Sequence, residues 1–165
     1  AMRLFAGIGI PYGNSDVMPF AKQYFSGGPF SIRAFRIRSL GPGNYDPANS
    51  SGNSSFFDQT GNLRLEANVE YRFPIMSFLK GALFADAGNV WNTSDNNTLT
   101  GGKFSSGFME ELGIGAGAGL RVDIQSFVIR FDLAAPLHTP YLPEGERWYF
   151  NYKKPILNFA IGYPF

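Results

Sequence analysis

Residues 62–73 read NLRLEANVEYRF. Leu63, Leu65, Ala67, Val69, Tyr71 and Phe73 fall at one parity; Asn62, Arg64, Glu66, Asn68, Glu70 and Arg72 fall at the other. Successive side chains of a strand point to opposite faces, so the segment reads as a strand with one apolar face and one charged or amide face. A soluble sandwich produces such a strand occasionally. Five stretches of this chain repeat it, with aromatics at strand ends. Repetition of that kind is the pattern of a sheet between lipid and a wet lumen.

Working outward, the same period predicts six strands, over residues 2–12, 62–73, 79–91, 108–124, 126–135 and 156–165. On the third, Leu83, Ala85, Ala87 and Trp91 face outward and Lys80, Ala82, Phe84 and Asp86 inward. On the fourth, Phe108, Leu112, Ile114, Ala116, Ala118, Leu120, Val122 and Ile124 face lipid, broken by Glu110. Gly113, Gly115, Gly117 and Gly119 form an inward comb there. The connections alternate in length: 13–60 long, 74–78 short, 92–107 long, Gln125 tight, 136–155 long. Outer-membrane barrels have short periplasmic turns and longer extracellular loops, and the strand parity agrees with that asymmetry.

Composition is compatible. The chain has 165 residues, and 16% are charged, below the roughly 25% of soluble domains. Mean hydropathy is only −0.10, so the chain is apolar by pattern. No run of 18 apolar residues is present, which excludes a transmembrane helix and leaves a barrel open. A net charge of +1 gives no argument for nucleic acid. Cysteine is absent, which rules out disulfides and thiolate metal sites. No signal peptide is visible at the start. Six strands are too few to close a bacterial barrel, and an open edge in lipid leaves backbone groups unpaired. The expectation is therefore an all-β, antiparallel transmembrane β-barrel of which residues 1–165 are a part, or a sheet closed by other copies. A soluble sheet is the alternative, disfavoured because nothing here reads as a cover for so long an apolar face.

The long connection carries FSGGPFSIRAFRIRSLGPG, residues 25–43. This resembles the signature of the BamA/TamA outer-membrane assembly-factor family (the bacterial surface antigen family), which is related to two-partner secretion transporters. In that family the longest loop carries Val/Ile-Arg-Gly-Phe/Tyr between a Gly-Gly pair and Leu/Ile-Gly-Pro. Here Ile32, Arg33, Ala34 and Phe35 hold the motif, Gly27-Gly28 precede it and Leu40-Gly41-Pro42 follow, with Ala34 standing where the family usually has Gly. FADAGNVW, residues 84–91, is similar to the family's second signature, an inward Asp followed by Gly and an aromatic. The resemblance spans essentially the whole chain. It implies the last six strands of a sixteen-strand barrel, with the 13–60 loop inserted in the lumen.

Physical reasoning about Arg33 stands beside the resemblance. A buried guanidinium needs fixed anions, and Asp86 and Glu70 both face the lumen on neighbouring strands. Arginine's planar fork can bridge two carboxylates. The reading is that Arg33 pairs with Asp86, with Glu70 nearby, and pins the loop; a solvated loop arginine is the alternative. The inward glycines either leave room for that loop or curve the wall. The segment 158–165, NFAIGYPF, resembles a barrel-assembly signal, with Asn158, Ala160, Tyr163 and Phe165 at its alternate positions.

Other chemistry is not indicated. His138 is the single histidine and sits in a proline-bounded loop, so a metal site is not expected. No nucleophile–base spacing and no phosphate loop occur, so neither an enzyme nor a cofactor is expected. What the resemblance implies is insertion of β-barrel proteins into the bacterial outer membrane, by strand templating at a lateral seam. Its partners would be membrane lipid, unfolded barrel clients and periplasmic or lipoprotein accessory subunits. Polypeptide export through the lumen is the second reading.

Overall fold

The computed structural model describes residues 1–14, 18–46, 59–94, 101–124, 126–150 and 155–162. Among these the chain is all-β, with short 3₁₀ turns as its only helical elements. The strands are β1 (Met2–Ile8), β2 (Tyr24–Phe25), β3 (Thr60–Gly61), β4 (Leu63–Met76), β5 (Leu79–Trp91), β6 (Gly113–Ile124), β7 (Phe127–His138) and β8 (Ile156–Ile161). Six of them form one antiparallel sheet in the order β1-β4-β5-β6-β7-β8. Every neighbour in that sheet is also the next long strand in sequence, as in a meander. β1 and β8 are its edges, and the sheet does not close on itself. β2 and β3 pair separately and draw the two ends of the long connection together.

Alternation on β4 becomes two different environments. Glu66, Asn68 and Glu70 are buried, while Val69 and Tyr71 are exposed. The pattern continues across the sheet: Leu83, Leu120, Phe131, Leu133, Leu157 and Phe159 are exposed on one face. On the other, Phe84, Asp86, Arg121, Arg130, Asp132 and Asn158 are buried. The burial is inverted relative to a soluble protein, in which charged residues are almost never fully buried. Among the described residues no helix or second sheet covers the apolar face.

Several boundaries differ from the expectation. β1 ends at Ile8, not at residue 12. β4 runs through Pro74 to Met76 with a register irregularity between those two residues, which moves the tight turn to 77–78. The bulge lets proline sit at the end of a strand without breaking the ladder. Residues 108–111 are a 3₁₀ turn, not the start of a strand, so β6 begins at Gly113. Glu110 is the break in alternation that marks this. Trp91 is fully buried, although its parity is outward. Phe104 and Phe108 pack edge-on against it at 5.5 and 6.2 Å, and its indole N–H donates to Glu111 Oε2 at 2.5 Å. Of the assembly-signal positions, Tyr163 and Phe165 lie outside the described residues, as do parts of the 13–60 connection.

Candidate functional site

The buried polar face is covered by the chain's own segment 26–41. Tight turns compact it: Gly28 N–H donates to Phe35 C=O at 2.9 Å, and Phe35 N–H donates to Ile32 C=O at 3.1 Å. Gly27 and Gly28 have φ of 97° and 96°, a region that favours glycine. Ala34 does not have a positive φ; among the described residues Arg38 is the non-glycine that has one. Alanine therefore replaces the family glycine without backbone strain.

Apolar contacts seat the segment. Ile32, Ala34, Phe35 and Leu40 form one cluster with Phe84 of β5 and Ala134 of β7, with Tyr141 against its side. Gly113 and Gly115 of β6 admit it: a Cβ on Gly113 would press on the Leu40 side chain, and one on Gly115 would overlap the Ala34 methyl. Gly117 and Gly119 serve a different purpose. Their space is taken by Phe84 and by the Arg121 and Asp132 side chains of the sheet itself. Two of the four comb glycines thus accommodate the loop.

At the centre, Arg33 is 1% exposed. Its Nε and Nη2 donate to Asp86 Oδ2 and Oδ1 at 2.8 and 2.9 Å, and its Nη1 donates to Glu70 Oε2 at 2.6 Å. The guanidinium lies 3.5 Å over the Phe84 ring. Asn68 Nδ2 donates to Asp86 Oδ1 at 3.0 Å and to Ser31 C=O at 3.0 Å, orienting the carboxylate and holding the loop. Ile32, Ala34 and Phe35 are the packed neighbours of this pair.

Further charges belong to the same cluster. Arg121 of β6 donates to Glu70 Oε2 at 2.9 Å and to Asp132 Oδ1 at 2.5 Å. Arg72 Nε donates to Glu70 Oε1 at 2.6 Å. Arg130 of β7 lies 3.1 Å from Asp132 Oδ2, and its Nη2 donates to Pro29 C=O at 2.6 Å. Arg121 and Arg130 are directly opposite one another in register, an arrangement that like charges oppose unless acids intervene. Asp132 and Glu70 are those acids. A second anchor lies towards β1. Glu66 accepts from Arg3 and Arg64, each at 2.7 Å, from Ser26 Oγ at 3.2 Å, and from Ser31 Oγ.

The last strand joins in. Asn158 Nδ2 donates to Arg33 C=O at 2.8 Å, and Ala160 is buried opposite Arg130. His138 Nδ1 lies 2.6 Å from Leu112 C=O, and its ring packs against Trp148 at 4.6 Å with the planes tilted by 50°. Strand parity alone does not reveal that Arg121, Arg130 and Asp132 join this cluster, or that Glu66 and Asn68 hold Ser31 of the loop. The cluster orders one loop on one sheet face through charge-assisted hydrogen bonds.

Comparison with known proteins adds a second line. Residues 1–153 match the Omp85 superfamily domain. The chain belongs to the Omp85 superfamily. It is also 29% identical over 164 residues to the outer membrane protein assembly factor BamA of Neisseria meningitidis serogroup B, a match covering 88% of this chain and 20% of that protein. The chain thus spans about one fifth of the length of that relative. Membership places the chain in an outer-membrane β-barrel of the BamA/TamA family, with the apolar face of the sheet turned to lipid.

Proposed function

We propose that this chain is the wall segment of a larger outer-membrane barrel that inserts other β-barrel proteins into the membrane. The observation that carries the reading is a loop locked by buried ion pairs onto the polar face of an antiparallel sheet whose other face is apolar and exposed. We read the polar face as the lumen, and residues 13–60 as a loop folded into it. The edge offers backbone donors and acceptors to an incoming strand, which acquires its hydrogen bonds before it leaves protein for lipid. Ile32, Arg33, Ala34 and Phe35, held by Asp86 and Glu70, act as a brace that keeps the wall in shape while the seam opens. Asn158 and Ala160 lie on the strand that pairs at that seam; together with Tyr163 and Phe165 they are the positions of the assembly signal. The partners are unfolded barrel clients, membrane lipid and periplasmic or lipoprotein accessory subunits. No step calls for nucleotide, metal or covalent chemistry.

The name of the Neisseria relative supports assembly over export. Depletion of the full-length protein, followed by quantitation of the outer-membrane proteome, tests the choice. Loss of many unrelated barrels is the expected result. Loss of one secreted polypeptide with other barrels intact overturns it in favour of export.

A further inference from the structure

We propose that Asn158 sets the register of β8, so that one side chain decides which backbone groups the sheet's edge presents. Little else fixes that register. β8 has six residues, Ile156–Ile161, and pairs over Ile156 to Ile161 with Ala134 to Ile129. Its outward side chains, Leu157, Phe159 and Ile161, are all apolar. Slippage by one residue would turn them inward and is excluded by parity. Slippage by two keeps every one of them in lipid. On that face only the Phe131–Phe159 ring pair, at 5.3 Å, favours one register.

The inward face discriminates sharply. Its paired positions are Ile156, Asn158 and Ala160, of which Asn158 alone is polar. Asn158 stands directly opposite Asp132, is 8% exposed, and donates to Arg33 C=O at 2.8 Å. A slip by two in either direction replaces it with Ile156 or Ala160. Neither can donate, so Arg33 C=O is left unsatisfied in a buried site, and the amide is moved away from its acceptor. A single buried amide specifying register has a precedent in coiled coils, where it excludes alternatives that the apolar pattern permits. Because the acceptor is the motif's own backbone, the register of the edge is referenced to the locked loop and not merely to β7. The inference holds whichever polypeptide the barrel handles.

None of these 165 residues is cysteine, so a thiol within them is one placed there by substitution. Gly162 N–H donates to Val128 C=O at 2.7 Å, so the pairs in step with it, Arg130/Ala160 and Asp132/Asn158, are the hydrogen-bonded ones. The outward pair Phe131/Phe159 is then a closely approached, non-hydrogen-bonded pair that a disulfide can bridge. Cysteines placed there also delete the ring pair and leave Asn158 as the discriminating contact. In the full-length protein in outer membranes, oxidation is expected to join positions 131 and 159 and not 133 and 159. Asn158→Ala should give both products. Asn158→Ala with Ala160→Asn moves the amide by two residues and should shift the product ratio about tenfold or more towards 133/159, the scale of one buried hydrogen bond.

A cysteine pair at Leu83 and Ala118, an outward, non-hydrogen-bonded pair of β5 and β6, reports folding independently. Persistence of 131/159 as the sole product in both variants overturns the proposal. So does loss of both β8 products while 83/118 still forms, because Asn158 would then be needed for pairing and not for register. If the double variant fails to form 83/118, the single variant decides alone: a mixture upholds the register role and a single product rejects it.

Discussion

Asp86 grips Arg33 by side chain and backbone at once. Its Oδ2 accepts the Arg33 main-chain N–H at 3.1 Å as well as Nε at 2.8 Å, while Oδ1 accepts Nη2 at 2.9 Å. A side-chain fork alone would fix where the guanidinium sits. The added backbone bond fixes the direction of the chain through the motif, and so where Ile32, Ala34 and Phe35 point.

Removing either partner leaves the other buried and uncompensated, which typically costs about 3–5 kcal/mol. Arg33→Ala and Asp86→Ala are therefore expected to lower the denaturant midpoint of the full-length barrel and to open segment 26–41 to protease. Arg33→Lys keeps the charge but not the fork, and should fall between wild type and Arg33→Ala. Exchanging the charges does not restore the site. Glu at position 33 would meet Glu70, 2.6 Å from the present guanidinium, and Asp132, 3.7 Å from it. The swapped double variant should be at least as unstable as either single one; recovery of the wild-type midpoint would show that neighbouring acids do not matter.

Glu66 is a separable anchor. It holds Ser26 and Ser31 from the loop and Arg3 from β1, but it does not touch Arg33. Glu66→Gln retains the shape and weakens charge-assisted bonds at a cost of about 1–3 kcal/mol. The expected outcome is faster hydrogen exchange at Gly27, Gly28 and Ser31, with protection kept at Arg33. Equal loss across 26–35 would mean that the two anchors work as a single cooperative unit.

How far these features were legible in the residues follows from what a pattern can encode. Period two fixes which side of a strand a residue occupies, so the six long strands and the inward placement of Glu70 and Asp86 could be read directly. It does not fix register between strands. That Arg121 meets Arg130, or that Asn158 meets Asp132, depends on where each hairpin turns, and the Pro74–Met76 bulge alone was enough to displace one turn. Asn158 reads as part of a terminal signal, whereas its bond to the Arg33 carbonyl involves backbone that carries no sequence signature. Trp91 was misplaced for a similar reason: parity describes the strand, while burial at its end was decided by Phe104 and Phe108 folding back from the following loop.

Glu111 gives that loop a pH dependence. Burial is the largest influence on its carboxyl and raises its pKa above the ordinary value; the Trp91 N–H and Arg147 oppose this, and Glu110 adds to it. The folded state thus holds the proton more tightly than the unfolded one. Stability from this group is greatest below the ordinary carboxylate pKa and declines as pH rises from there through the raised folded value. Glu111→Gln removes the charge, and its carbonyl oxygen can still accept from Trp91. The variant and the wild type should be equally protected from protease at residues 104–112 in acid, with the variant better protected at neutral pH. A difference that instead grows on acidification would reverse the sign of this assignment.

Ala34 and Gly115 make a steric pair whose parts can be exchanged. The methyl of Ala34 occupies the space that a side chain on Gly115 would need, while the motif backbone itself is unstrained. Gly115→Ala alone overpacks the contact between loop and β6, at about 1–3 kcal/mol. Ala34→Gly alone removes a buried methyl and frees the unfolded backbone, at roughly 1–2 kcal/mol together. Combined, they place one methyl where one methyl was, on the wall instead of the loop. The double variant should recover most of the overpacking cost, so its unfolding midpoint should lie above that of Gly115→Ala. Residues in contact are expected to couple in this way, whereas distant ones add. Strict additivity would mean that the two positions do not compete for the same space, and the fit of the motif against β6 would have to come from Leu40 and Phe35 alone.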